Sequence, residues 1–536
     1  MIRLLRAALV AVLIVCATAG SESAATAASY LPITGTGSTW SQNALDQWRK
    51  NVASNYGMTV NYSGVGSSAG RRDFIAGTVD FAVSEIPFQS KPEDGSAPEK
   101  PKTGYAYMPI VAGGTAFMYN LRIGGKRVTN LRLSGPVIAK IFTGVITKWN
   151  DPAIKVDNPL LALPDKKITP VVRSDGSGST AQFTLWMSKQ QSSIWNAFCT
   201  KVGRSTPCGL TSQYPVFSGA KAQNGSLGVA GYVSQNYGEG AITYVEYSYA
   251  LKSGFPVAKV LNASGYYVEP TAEAVAVALM KARINTNEGS ADYLTQILDG
   301  VYSSTDKRTY PLSSYSYMIV PTEVGGIFTT KKGNTLGAFT RYMLCEGQQQ
   351  AAVLGYSPLP MNLVMAGSDQ IKRIPGAGST GIDTAKCNNP TFKAGDSPSK
   401  NQLAASAPYP PECDKKGATQ CTTATGGAGG SSGGSSGGSS GGSSGGSTGG
   451  DGGTDAGTGS DDGSGDGGGT DTGSGTDGGG GVVASGAVSQ TYSLPDPGMG
   501  PAQWMMLAAG VLLVALIVLP PFLSRRLRAS RGSGER

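Results

Sequence analysis

Along the N-terminal part of the chain the apolar positions change period repeatedly. Residues 31–34 read as a short strand, after which Trp40, Ala44, Leu45, Trp48 and Val52 recur at the spacing of one helix face. Residues 58–62 alternate like a strand and are followed by a short helical stretch with Phe74 and Ile75. Residues 168–173 form a third strand, and a helix opens at residues 183–187. Between each strand and its helix lies a loop of small and hydroxyl residues: Gly35-Thr36-Gly37-Ser38-Thr39, Gly64-Val65-Gly66-Ser67-Ser68 and Ser174-Asp175-Gly176-Ser177-Gly178-Ser179-Thr180.

The two ends follow different patterns. Arg3 and Arg6 precede an apolar run at residues 7–15 and small residues around Ala25-Thr26-Ala27, which predicts a signal peptide over residues 1–28. The run is too short to span a bilayer. Cys16 is not read as a lipidation site, because Val15 stands where such signals carry Gly or Ala. At the other end residues 504–523 are uncharged and apolar, long enough to cross ~30 Å of hydrocarbon. Arg525, Arg526, Arg528 and Arg531 follow, so a membrane helix over 503–523 has its basic tail, 524–536, in the cytoplasm and the body outside. Leu494-Pro495-Asp496-Pro497-Gly498 resembles a sortase signal, but Pro497 occupies the place of the usual Thr.

Composition changes this picture in one stretch. Most of the excess among the 77 glycines lies in residues 426–490, a Gly/Ser/Thr/Asp-rich linker with too little apolar surface to offset its ordering entropy. Its flexible part averages roughly 40 Å end to end and serves as a tether. The chain has no histidine, which excludes His-based triads, His metal ligands and an imidazole pH switch. No C-x-x-C occurs, and no metal or cofactor site is expected. Cys199, Cys208, Cys345, Cys387, Cys413 and Cys421 remain after removal of the signal, an even set that reads as disulfides in an exported protein. The close pairs 199/208 and 413/421 are the easiest to bridge, leaving Cys345 with Cys387. Partitioned among the basic ends and the Asp-bearing linker, the formal net charge of +8 leaves a positive body that suits an anionic ligand, while the scatter of Lys and Arg without a basic block argues against nucleic acid.

The chemistry of the loops is anion binding. A helix N-terminus presents unpaired N–H groups and a partial positive charge, glycines allow close backbone approach, and Ser or Thr hydroxyls add donors. Arg173 adds a planar charged fork suited to a tetrahedral oxyanion. Ser, Thr and Gly are also ordinary cap and turn residues. None of the loops ends in the Gly-Lys-Ser/Thr of a P-loop.

These loops, together with Thr78-Val79-Asp80-Phe81-Ala82-Val83-Ser84-Glu85, Lys148-Trp149-Asn150-Asp151, Tyr244-Val245-Glu246-Tyr247 and Gly355-Tyr356-Ser357-Pro358-Leu359-Pro360, resemble in order the phosphate-binding proteins of bacterial ABC-type phosphate importers. The resemblance covers about residues 30–365. It implies an α/β, bilobed periplasmic-binding-protein fold over 29–365, with lobe one at about 30–110 and 246–365 and lobe two at about 115–245. Residues 109–121 and 241–247 suit the two crossover strands. It also implies that Thr39 and Ser67 donate hydrogen bonds to phosphate, that Arg173 pairs with it, and that Ser177, Gly178 and Ser179 supply hydroxyl and backbone donors. The family carries Thr at the place of Ser179. It carries Asp, accepting the proton of phosphate, at the place of Glu85, which shifts the carboxylate by about one carbon–carbon bond, ~1.5 Å. Residues 366–425 lie beyond the family core as a Cys-containing extension.

The function so implied is that of a membrane-tethered receptor outside the cytoplasm. It captures inorganic phosphate and delivers it to an ABC-type phosphate permease in the membrane. An enzyme is not expected, because a Ser nucleophile lacks an activating base: no His exists and no S-x-x-K places a lysine near Ser177. The alternative is a surface oxyanion-binding or interaction protein on the same scaffold, not coupled to transport.

Overall fold

The computed structural model describes residues 30–427 apart from residues 93, 94 and 291. The signal peptide, the linker beyond residue 427, the 503–523 span and the basic tail lie outside the described residues. Among the described residues no helix is long and apolar enough to cross a membrane.

Among the described residues, nine of the eleven strands of the main sheet position the site: β1 (Ile33–Gly37), β2 (Val60–Gly64), β3 (Phe81–Ser84), β4 (Tyr105–Tyr119), β5 (Thr169–Arg173), β6 (Lys221–Gln223), β7 (Ala241–Glu246), β8 (Val257–Leu261) and β9 (Ser313–Pro321). The helices nearest the site are α1 (Gln42–Tyr56), α2 (Ser67–Ala76), α3 (Gly178–Gln190), α4 (Gly225–Ser234), α5 (Tyr247–Ser253) and α6 (Ala272–Leu279). The strands pair in the order β2-β1-β3-β9-β4-β7-β5-β6. The pairs β1–β2 and β1–β3 at one end, and β7–β5 and β5–β6 at the other, are parallel. β3, and β9 antiparallel beside it, are buried along their whole lengths.

β4 joins the two lobes. It pairs antiparallel with β9 through residues 105–114 and with β7 through residues 115–119, changing partner between Gly114 and Thr115. One hydrophobic core gathers Trp48, Phe81, Ile110, Met318 and Phe339, and another gathers Phe117, Trp149, Phe183 and Trp195. The second core also takes Ala258, Val260, Tyr266, Leu298, Tyr302 and Leu312, so the chain stays with it past the expected boundary at residue 245. The reason is β8, which turns back beside β4 at Phe117 and Met118 and pairs with Arg132 and Leu133. The chain regains the first core through α6, where Val275 and Leu279 pack on one core and Ala274 and Ala278 on the other.

The first Gly-rich segment is more strand than loop. Gly35, Thr36 and Gly37 sit in register with Tyr62, Ser63 and Gly64 and with β3. Gly37 has φ +138°, and a Cβ there would lie 2.2 Å from the carbonyl oxygen of Val83. Close strand packing therefore explains this glycine, and the loop proper begins at Ser38.

The extension beyond residue 365 folds onto both lobes. Ile374 and Phe392 enter the first core, and Cys345–Cys387 staples that part. Ala404 and Ala407 then pack on Ala276 and Val277 of α6. Near Cys413–Cys421, Arg132 donates to the carbonyls of Cys413 and Thr419, and Lys259 forms a buried ion pair with Asp414 at 2.5 Å. With Cys199–Cys208, the three disulfides join the cysteines as their spacing suggested.

Candidate functional site

The loops converge because each follows the carboxyl end of a parallel strand: β1 leads to α1, β2 to α2, β5 to α3 and β6 to α4. Crevices at such strand ends are where open α/β sheets hold ligands. Thr39, Ser67, Glu85, Arg173, Ser177, Gly178 and Ser179 are all buried there.

Glu85, directly after β3, is the centre of one group. Ser67 Oγ donates to its Oε2 over 2.8 Å, and Ser316 Oγ of β9 donates to its Oε1 over 2.7 Å. From the opposite lobe the Gly178 N–H donates to Ser67 Oγ at 3.1 Å, and Gln182 Nε2 donates to the Glu85 carbonyl at 2.8 Å. A Cβ on Gly178 would lie 1.7 Å from Glu85 Oε2, so only glycine allows this approach. Ser177 is the N-cap of α3, accepting from the Thr180 N–H at 3.2 Å, which leaves its own proton free to donate elsewhere. Ser179 Oγ is buried without a hydrogen-bond partner among the described residues.

Arg173 is the centre of the other group. Its Nε donates to Asp175 Oδ1 at 2.7 Å and its Nη2 to Asp175 Oδ2, a two-point clamp that fixes the guanidinium plane. Burial pushes the Asp175 carboxyl up, but the bonds and charge of Arg173 and the Gly225 N–H outweigh it and hold the group below the usual range. Arg173 Nη1 donates to Ser226 Oγ at 3.3 Å, which lies 2.9 Å from Thr39 Oγ1 in the other lobe. Tyr249 of α5 donates to the Thr39 carbonyl at 2.5 Å and steadies that loop.

The charge balance of this cluster is informative. Two carboxylates, Glu85 and Asp175, stand against one guanidinium that Asp175 already engages. The N–H groups of Gly178, Gly225 and Ser226 at the helix N-termini add partial positive charge beside them.

The structure gathers the seven expected residues in buried, hydrogen-bonded contact at the strand ends and adds Asp175, Ser226 and Ser316. Asp175 lay within the third loop without an assigned role. Ser226 follows Asn224-Gly225 after a strand of three residues, a fourth instance of the strand–small residue–helix pattern. Ser316 has no local signal, since it reaches Glu85 from the middle of a strand.

Residues 20–346 match the PBP superfamily domain. The phosphate-binding protein PstS of Xylella fastidiosa (strain Temecula1) is 35% identical over 332 residues, which are 62% of this chain and 82% of that protein. PstS of Haemophilus influenzae is 32% identical over 340 residues, 63% of this chain and 92% of that protein. Among solved structures, a periplasmic phosphate-binding protein bound with phosphate (PfluDING) is similar at 19% identity and a TM-score of 0.47, covering 62% of this chain and 92% of that one. The chain belongs to the PBP superfamily, in the family of the PstS phosphate-binding proteins.

Proposed function

We propose that this protein is a receptor outside the cytoplasm that binds inorganic phosphate between its lobes and delivers it to an ABC-type phosphate permease. The observation that carries the reading is the pairing of helix N-terminal donors and Arg173 with a carboxylate acceptor, Glu85, inside one buried cleft. Thr39, Ser67, Ser177, Gly178 and Ser179 supply donors to the oxyanion, and Arg173 pairs with it while Asp175 holds the guanidinium plane. Phosphate carries a proton at neutral pH and donates it in a hydrogen bond to Glu85. Sulfate has no such proton and leaves the carboxylate facing an anion without a partner, which costs more than a missing hydrogen bond. The family is one of substrate-binding receptors, and the reading assigns the Ser67 and Ser316 hydroxyls on Glu85 to ligand binding. In this reading the 503–523 segment anchors the body to the membrane and the basic tail stays in the cytoplasm.

Calorimetric titration of the full chain in detergent with phosphate, arsenate and sulfate tests this. Tight phosphate binding with sulfate bound measurably but far more weakly is expected, and equal affinity for sulfate would defeat the reading. Loss of phosphate uptake on deletion separates transport from a surface oxyanion-binding role, in which uptake would be unchanged. Release of the protein from membranes on deleting residues 504–523 tests the anchor.

A further inference from the structure

We propose that Ser226 is a further phosphate-contacting residue, one that contributes affinity without contributing to the choice between phosphate and sulfate. The inference rests on the phosphate reading above and adds a residue from α4 to it. Ser226 is fully buried. Its Oγ lies 2.9 Å from Thr39 Oγ1 and accepts from Arg173 Nη1 at 3.3 Å, so it touches a donor from each lobe. Ser226 Oγ thus sits between the two groups that the phosphate reading assigns to the oxyanion.

The helix that carries it points the same way. The N-cap of α4, Asn224, makes no side-chain cap, and Ser226 is a residue inside the helix, so its hydroxyl is not the capping oxygen. The first N–H groups of α4 go instead to the site: Gly225 N–H to Asp175 Oδ1 at 2.9 Å and Ser226 N–H to Thr39 Oγ1 at 3.2 Å. α4 thus directs the positive end of a ten-residue helix, with a hydroxyl at its mouth, toward the same point as α2 and α3. A hydroxyl proton donates to any oxygen of a tetrahedral anion whether or not that anion carries a proton. Ser226 therefore strengthens binding of phosphate and sulfate alike, whereas Glu85 separates them.

The test is titration of the full chain in detergent with inorganic phosphate and with sulfate, for the wild type, Ser226→Ala and Ser226→Cys, with melting temperatures measured in parallel. The expected result is a loss of phosphate affinity of roughly five- to tenfold in both variants, with an unchanged ratio of phosphate to sulfate affinity. The Cys variant replaces the hydroxyl by a larger, weakly hydrogen-bonding thiol that fills the space, so it serves if the Ala variant proves unstable. A second arm places Ser226→Ala in a Thr39→Val background, where the loss should persist. If the loss vanishes there, Ser226 acts only by holding Thr39 and the proposal is overturned. Wild-type affinity in both Ser226 variants overturns it while leaving the phosphate reading intact. Failure of the wild type to bind phosphate overturns both.

Discussion

Ser316 Oγ donates to Glu85 Oε1 over 2.7 Å, tying the middle of β9 to the residue that follows β3. The pairing of β9 with β4 shifts register between Ser316 and Tyr317, and an irregularity of this kind next to a site re-aims a side chain. With Ser67 on Oε2, both oxygens of the carboxylate are held. Glu85→Gln should weaken phosphate binding and narrow the preference over sulfate, because the amide offers a donor where the ligand proton needs an acceptor. Glu85→Asp should be tolerated better, although its carboxylate draws back from Ser316 by about one carbon–carbon bond, ~1.5 Å. Ser316→Ala should therefore cost about 1 kcal/mol in binding in the wild type and much less in the Asp background. Additive losses in a calorimetric double-mutant cycle would show that Ser316 does not act through Glu85.

Arg173 and Ser179 test the weight of charge against a neutral hydroxyl. Arg173→Ala should weaken phosphate binding by roughly 1.5–3 kcal/mol, and Ser179→Ala by about 1 kcal/mol. Arg173→Lys should recover little of the loss, since an ammonium cannot reproduce the two-point contact with Asp175 that sets the plane. Equal losses for the Arg173→Ala and Ser179→Ala variants at matched salt would remove Arg173 from the ligand.

The parts of this site that were legible in the sequence are the local ones. Ser67, Ser177, Gly178 and Ser179 sit where a strand ends and a helix begins, and the change of apolar period marks that place. Ser226 obeys the same rule, but β6 has only three residues and shows no alternation to announce it. Ser316 depends on a β-bulge and on the pairing of β9 with β3 and β4, contacts between residues far apart in sequence. The extent of the second core was hidden for a similar reason, because nothing local shows that β8 turns back along β4. The extension reads only as a Cys-containing segment beyond the family core, yet single apolar residues such as Ile374 and Phe392 are enough to fasten it to the first core.

That fastening has a consequence for truncation. A chain ending at residue 365 loses Ile371, Ile374 and Phe392 from the first core and Asp414 from its ion pair with Lys259. Such a chain should be expressed insolubly or melt far below one ending at residue 427. Asp414→Ala alone should destabilise by about 3–5 kcal/mol, as expected when one partner of a buried pair is removed. Breaking the exposed Lys148–Asp165 pair should change little. Denaturant melts of the two variants decide the matter, and similar shifts in both would mean that the Lys259–Asp414 pair contributes no more than a surface pair.

Glu246 is a buried carboxyl beside the point where β4 changes partner. It pairs across from Thr115, is fully buried, and accepts from the Ser248 N–H at 2.7 Å through Oε2, while Oε1 has no partner among the described residues. Burial pushes its carboxyl well above the ordinary 4.5, and the bonds from Ser248 offset this only in part. A carboxyl raised in the folded state contributes stability that is fully present below its unfolded value near 4.5 and is lost as pH rises through the folded value. Glu246→Gln keeps the acceptor for the Ser248 N–H and cannot ionise. The variant should therefore melt close to the wild type at pH 4.5 and above it at pH 8, the gap opening as pH rises. Subtracting the two melting curves at each pH removes the contribution of every other titrating group. Parallel curves across that range would mean that Glu246 titrates alike in the folded and unfolded chains and that its burial carries no cost at neutral pH.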